Sequence, residues 1–217
     1  MRNKFDSQLE ELNRSLILMG AMCESAIAGA IKAMQNNDRE LAESIIESDD
    51  DIDRMEKDIE RLCLKLLLQQ QPVAKDLRLI SAALKMITDI ERIGDQSADI
   101  AEIITFTDLS ATPVTPLLIK MAEAAITMVN ESIDAYVRSD LELAKKVQCD
   151  DDAVDRLFSS VKNDIIEMIG RDTSYGEQAV DIIMISKYLE RIADHATNIA
   201  EWVEFSITGM HKQNKCC

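Results

Sequence analysis

Carboxylates recur in this chain at helical steps where apolar side chains are expected. One stripe of three- and four-residue steps runs Ile80, Leu84, Ile87 and then lands on Glu91, with Asp95 and Asp99 following. Later in the chain Ala179, Ile183 and Ser186 lead in the same way to Glu190, Asp194 and Asn198. Between Ile45, Ile52 and Ile59 the core-like steps are taken by Asp49 and Glu56, with Asp53 four residues after Asp49. A carboxylate on the core side of a helix is costly unless arginine, backbone amides or a cation satisfies it. Acids at i and i+4 share one helix face, so pairs from two adjacent helices can offer four or more oxygens to a hard cation such as Mg²⁺, Mn²⁺ or iron. The same acids can instead pair with Arg54, Arg92, Arg156 and Arg191 as a charge network inside a bundle. From the residues alone both readings stand.

One such pair means little, because with 40 acids in 217 residues about one acid in five has another four positions on. An internal repeat separates signal from chance. With Glu91 placed on Glu190, an offset of 190 − 91 = 99, seven of the fourteen positions from Glu91 to Ile104 are identical. Upstream the offset is 102, which places Asp49, Asp50, Asp53 and Arg54 on Asp151, Asp152, Asp155 and Arg156. Asp38, Leu41 and Ala42 likewise fall on Asp140, Leu143 and Ala144. The three-residue difference predicts a shorter turn before the last helix. Four acid pairs survive the superposition: Asp49/Asp53, Glu91/Asp95, Asp151/Asp155 and Glu190/Asp194. Glu56 does not, since Phe158 stands in its place.

Other chemistries find no residues to carry them. A carboxylate–histidine di-iron site wants a Glu three residues before a His, and neither His195 nor His211 has one. His195 follows Asp194 and could border a metal, but a surface histidine is the simpler reading. There is no phosphate-binding glycine loop, nucleophile elbow or HExxH. The five cysteines show no CxxC spacing, which predicts neither a zinc site nor a secreted disulfide framework.

The elements that must position the acids are helical. No Gly or Pro occurs from Ala30 to Gln71 or from Leu117 to Ile169, apart from polar breaks at Asn36–Asp38 and Ser139–Asp140. Helices are predicted near 5–35, 38–70, 76–104, 117–137, 140–170 and 175–208, with Pro72 stopping the second. The fold class is all-α: six long helices in two tandem pseudo-symmetric antiparallel three-helix bundles. The first repeat is expected over 5–104 and the second over 117–208. The Thr/Pro-rich stretch 105–116 reads as a linker, and 209–217 as a polar tail ending in Cys216 and Cys217. Lys and Arg number 24 against the 40 acids, a formal charge of −16. That field excludes a nucleic-acid partner, which needs a basic footprint, and favours cations or basic proteins. Leu16 to Ile31 is the nearest approach to a membrane span, but Glu24 interrupts it, so a buried bundle helix is expected and no transmembrane segment.

Three blocks carry a resemblance to a known family: Gln70-Gln71-Pro72-Val73-Ala74-Lys75-Asp76-Leu77-Arg78, then Asp89-Ile90-Glu91-Arg92-Ile93-Gly94-Asp95, then Glu190-Arg191-Ile192-Ala193-Asp194-His195 through Glu201. Together with the two-repeat plan they resemble the PhoU family of bacterial phosphate-transport accessory and regulatory proteins, over about Phe5 to Phe205. The family's E(D)xxxD metal motifs fall on the four retained pairs. The resemblance implies a multinuclear metal site on each bundle, formed by Asp49, Asp53, Glu91 and Asp95 with Asp99, and by Asp151, Asp155, Glu190 and Asp194 with Asn198. Iron, zinc, manganese and magnesium all fit that implication. It further implies a cytoplasmic homodimer that contacts the phosphate ABC transporter and its sensor histidine kinase at the inner membrane face and represses the phosphate-starvation response. Two departures are visible: Ala193 replaces Gly94, and Asn198 replaces Asp99. A metalloenzyme such as a phosphohydrolase lacks a nucleophile, base or phosphate loop beside the acids. A purely structural scaffold would use the acids in salt bridges only.

Overall fold

Long runs without glycine or proline become long helices. A computed structural model describes residues 2–69, 73–110 and 112–210, and its helices are α1 (Arg2–Asn36), α2 (Arg39–Gln69), α3 (Ala74–Phe106), α4 (Thr115–Arg138), α5 (Leu141–Arg171) and α6 (Gly176–Thr208). No strand occurs among the described residues. The expected stop at Pro72, the block Gln70–Pro72, His211 and the two terminal cysteines lie outside them.

The repeat extends to the turns. Asn37 and Ser139, at equivalent positions, both adopt left-handed backbone with φ of 49° and 52°. In each case the next amide donates back to an alanine carbonyl, Asp38 to Ala33 and Asp140 to Ala135, both at 2.9 Å. This satisfies carbonyls that the helix end would leave orphaned. Asp38 then accepts from the Leu41 N–H at 3.0 Å, and Asp140 accepts from Glu142 and Leu143 at 3.1 and 3.0 Å. These aspartates cap α2 and α5. After α5 only Asp172 precedes a 3₁₀ turn, Thr173–Tyr175, which runs straight into α6. Four residues separate α2 from α3 (70–73) and α5 from α6 (172–175), so the connection is not the shorter one that the offsets predict. At the offset of 99 the 3₁₀ turn stands where the first turn of α3 is, and α6 begins three residues later than α3 does.

α1, α2 and α3 pack together, as do α4, α5 and α6, and the two sets meet through α3 against α6 and α1 against α4. Arg78 meets Ser206, Asp89 meets His195 and Thr107 meets Asp181, so α3 and α6 run antiparallel. Each is therefore covered on several sides. The fully buried Ile80, Met86, Ile90, Ile93, Ile100 and Ile104 of α3 join Ile182, Ile185, Leu189, Ile192, Ile199 and Val203 of α6 in one continuous core. Gly20 of α1 faces α4, where a Cβ would stand 2.2 Å from Ile133 Cδ1 and displace that side chain. α1 is, among the described residues, the one helix long and apolar enough to cross a membrane. Its Leu12, Leu16, Met19, Cys23, Ile27 and Met34 are buried in this core. The stretch read as a linker is packed down: Leu109 and Val114 are buried, Thr107 donates to Asp181 at 2.6 Å, and Gln178 donates to the Asp108 carbonyl at 3.1 Å.

Candidate metal centre

In the first repeat the face of α2 carrying Asp49 and Asp53 lies against the face of α3 carrying Glu91 and Asp95. Carboxylate oxygens of Asp53, Glu91 and Asp95 all lie within 4.8 Å of one another. Asp49 sits one turn back along α2, its Oδ1 buried with no hydrogen-bond partner. Gly94 faces it across the helix pair: a Cβ at residue 94 would lie 2.9 Å from Asp49 Oδ1 and 3.0 Å from Ile52 Cδ1, so these side chains would have to shift. The electrostatics follow from the crowding. Burial first, then Asp95, Asp53, Asp50 and Asp99, push the Asp49 carboxyl from 3.8 up to about 6. Glu91 is also raised, first by burial and then by Asp95, with Arg92 opposing. Asp99 is raised by burial, Asp95 and Glu102, against the pull of Arg191 from α6.

Counter-charges border this cluster without closing it. Arg92 reaches Glu91 at 3.4 Å and Asp95 at 2.8 Å, and Lys57 reaches Asp53 at 3.2 Å. Arg54 turns away to pair with Asp51. The arginine network is thus present in part, supplied by Arg92 and not by Arg54. Glu56, which the repeat comparison sets aside, lies on the same face and accepts from Thr88 Oγ1 at 3.3 Å.

The second repeat places its acids differently. Asp194 is raised by burial, then by Glu190 and Asp155, with Lys187 and His195 opposing, so these carboxylates share one neighbourhood. Glu190, however, is paired with Lys187 one turn before it on α6. Asp151 is half-buried and Asp155 exposed on α5. Among the described residues, the only group of three acids close enough to share an ion is the one in the first repeat.

Asn198 is not directed at the second cluster. Its Nδ2 donates to Asp89 Oδ1 at 3.1 Å across the α3–α6 contact, and His195 Nδ1 meets the same oxygen at 2.9 Å. The reading of His195 as a surface residue is therefore corrected: its side chain is only 18% exposed, held between the two central helices. Asp89 and Lys187 were missed by repeat comparison because their counterparts are Tyr188 and Thr88. The comparison retains only what both copies share. The pseudo-twofold relation of α3 and α6 pairs Tyr188 with Asp99, which raises the Tyr188 hydroxyl after burial does.

The PhoU domain family matches the chain at residues 16–104 and 118–203. A phosphate-specific transport system accessory protein PhoU homolog of Clostridium acetobutylicum is 38% identical over 210 residues, spanning 96% of this chain and 96% of that protein. A homolog of the same description from Pseudomonas aeruginosa is 33% identical, spanning 95% and 86%. Among solved structures, PhoU from Pseudomonas aeruginosa superposes with a TM-score of 0.88 at 32% identity, covering 95% of this chain and all of that one. The phosphate transport system regulatory protein PhoU from Streptococcus pneumoniae gives 0.88 at 26% identity, covering 97% of this chain.

Proposed function

The chain belongs to the PhoU family, and from that premise we propose a metal-carrying accessory protein of phosphate transport that represses phosphate-starvation signalling by contact with its partners. Relatives described as phosphate-specific transport system accessory proteins support the transport role, and those names describe accessory proteins, not catalysts. The partners in this reading are the phosphate ABC transporter and the phosphate sensor histidine kinase, met from the cytoplasmic side by a homodimer. A charge of −16 suits basic surfaces on such partners.

The observation that carries the metal reading is the convergence of Asp53, Glu91 and Asp95 beside the unpaired buried oxygen of Asp49. An orphaned buried carboxylate oxygen among like charges is a site that a cation stabilises. All-oxygen donors of this kind fit Mg²⁺, Mn²⁺ or iron better than softer metals. Asp49, Asp53, Glu91 and Asp95 would hold the ion, with Asp99 and Glu56 at the margin. The corresponding second-repeat positions are Asp151, Asp155, Glu190, Asp194 and Asn198. Bound metal would supply positive charge that locks α2 to α3, while the helical surface makes the contacts.

Deletion of the gene in its host tests the regulatory role and is expected to raise expression of phosphate-scavenging genes in phosphate-rich medium. Glu91, Asp95, Glu190 and Asp194 replaced together by Ala should abolish repression in a folded protein. An unaltered phosphate response on deletion would overturn the proposal. So would phosphoester turnover by the purified protein that vanishes with those four substitutions.

A further inference from the structure

The two acid clusters differ at residues that stand opposite one another in the repeat. The first has Glu56 on α2 linked to Thr88 on α3. The second has Phe158 and Lys187 at those places, with Lys187 Nζ 5.6 Å above the Phe158 ring and paired with Glu190. This is a concerted exchange: an acid becomes a ring, and the hydroxyl facing it becomes an ammonium that packs on that ring. A second exchange concerns space. The missing Cβ of Gly94 leaves the niche that Asp49 Oδ1 occupies, whereas Ala193 carries a methyl at the equivalent position. The third exchange is Asp99 to Asn198, whose amide is engaged by Asp89. Arg92 and Lys57 also border the first cluster, yet three of its acids still draw together. With Lys187 on Glu190, no three acids of the second repeat do so among the described residues.

We propose that in this chain only the first-repeat cluster takes divalent metal, and that the Lys187 ammonium occupies the cation's role in the second. The proposal rests on the metal reading above and deepens it. A tethered ammonium neutralises Glu190 without the cost of dehydrating an ion. Phe158 removes a donor, and Ala193 carries a methyl where Gly94 has none. The second repeat would then be a permanently closed version of a clasp that the first repeat closes only with metal.

Metal-free full-length protein titrated with Mn²⁺ by calorimetry, with bound Mn²⁺ counted by elemental analysis after desalting, decides the matter. The expected result is one class of sites, removed by the pair E91Q/D95N and retained by the pair E190Q/D194N. Restoring the first-repeat pattern with F158E/K187T should add a second class and increase bound Mn²⁺ per chain. Circular dichroism confirms that each variant is folded, and K187T alone serves if the double variant is not. Wild-type protein that loses half its Mn²⁺ in E190Q/D194N overturns this proposal while leaving the metal reading intact. Folded F158E/K187T, or K187T in its stead, with unchanged Mn²⁺ content also overturns it. Wild-type protein that binds no Mn²⁺, or whose binding survives E91Q/D95N, overturns the metal reading and this proposal together.

Discussion

Asp49 combines a buried, unpartnered oxygen with a carboxyl raised to about 6, and this sets a pH signature. Its ordinary value is 3.8, so the folded metal-free protein binds the proton more tightly than the unfolded chain does. The stabilisation from protonation is complete below about 4 and is lost as pH rises through about 6. Metal-free protein is therefore expected to melt higher at pH 5 than at pH 7, and Asp49→Asn should flatten that difference. Calorimetric melting across the interval checks both. Bound metal reverses the sign, because protons then compete for its ligands. Gly94 is the second lever at this scale. A methyl at residue 94 crowds Asp49 and Ile52, and overpacking of about 1–3 kcal/mol outweighs the roughly 1 kcal/mol that alanine contributes to a helix. Gly94→Ala should thus destabilise by up to about 2 kcal/mol in urea titration and weaken Mn²⁺ binding as well.

At the scale of elements, α3 and α6 do two jobs that their sequences must divide. One side of each is apolar and central to the core, while the next side presents acids to the neighbouring helix of its own repeat. Their mutual contact is fastened by Asp89, which accepts from Asn198 and meets His195. Asp89→Ala is expected to cost about 1–2 kcal/mol, since hydrogen bonds to a half-buried charge are worth more than neutral ones. A double-mutant cycle with His195→Ala should show that most of the loss is shared between the two residues. The helix starts have a separate ledger: Asp140 holds two amides of α5, so Asp140→Ala should cost about 1 kcal/mol. Chemical denaturation followed by circular dichroism measures both effects.

The molecule as a whole has one core, not two. Because α3 and α6 bury their apolar sides against each other as well as against their own repeats, neither repeat can open without exposing the other. Unfolding should accordingly be a single transition. Trp202, the chain's one tryptophan, reports on α6, while far-ultraviolet circular dichroism reports on all six helices. The two signals are expected to coincide through urea, and a separated tryptophan transition would show that the repeats melt independently. Excess Mn²⁺ should shift the whole transition upward by linkage, since binding to a folded site stabilises everything coupled to it. Unchanged melting with Mn²⁺, Mg²⁺, Zn²⁺ and iron would count against a metal centre.

Six helices, their caps and their repetition could be read from the chain because these are local or periodic properties. Asn37–Asp38 and Ser139–Asp140 stop one helix and cap the next through atoms a few residues away, and apolar steps of three and four mark the buried stripes. The acid pairs were legible for a related reason: an i, i+4 pair shares a face by helix geometry alone, and two copies filtered coincidence. What repeat comparison could not see was everything unique to one copy. Glu56, Lys187 and Asp89 have counterparts of another type, and the comparison discards such positions although they decide how each cluster is neutralised. Nor does periodicity say which carboxylates face one another. That depends on how α2 packs on α3, where Gly94 leaves room for the side chains of Asp49 and Ile52, and on whether Lys187 folds back onto Glu190. His195 reads as a surface residue from the sequence because nothing near it in the chain supplies it with a partner. Only the antiparallel docking of α3 on α6 brings Asp89 to it, since a contact between residues more than a hundred positions apart has no signature in the spacing of either.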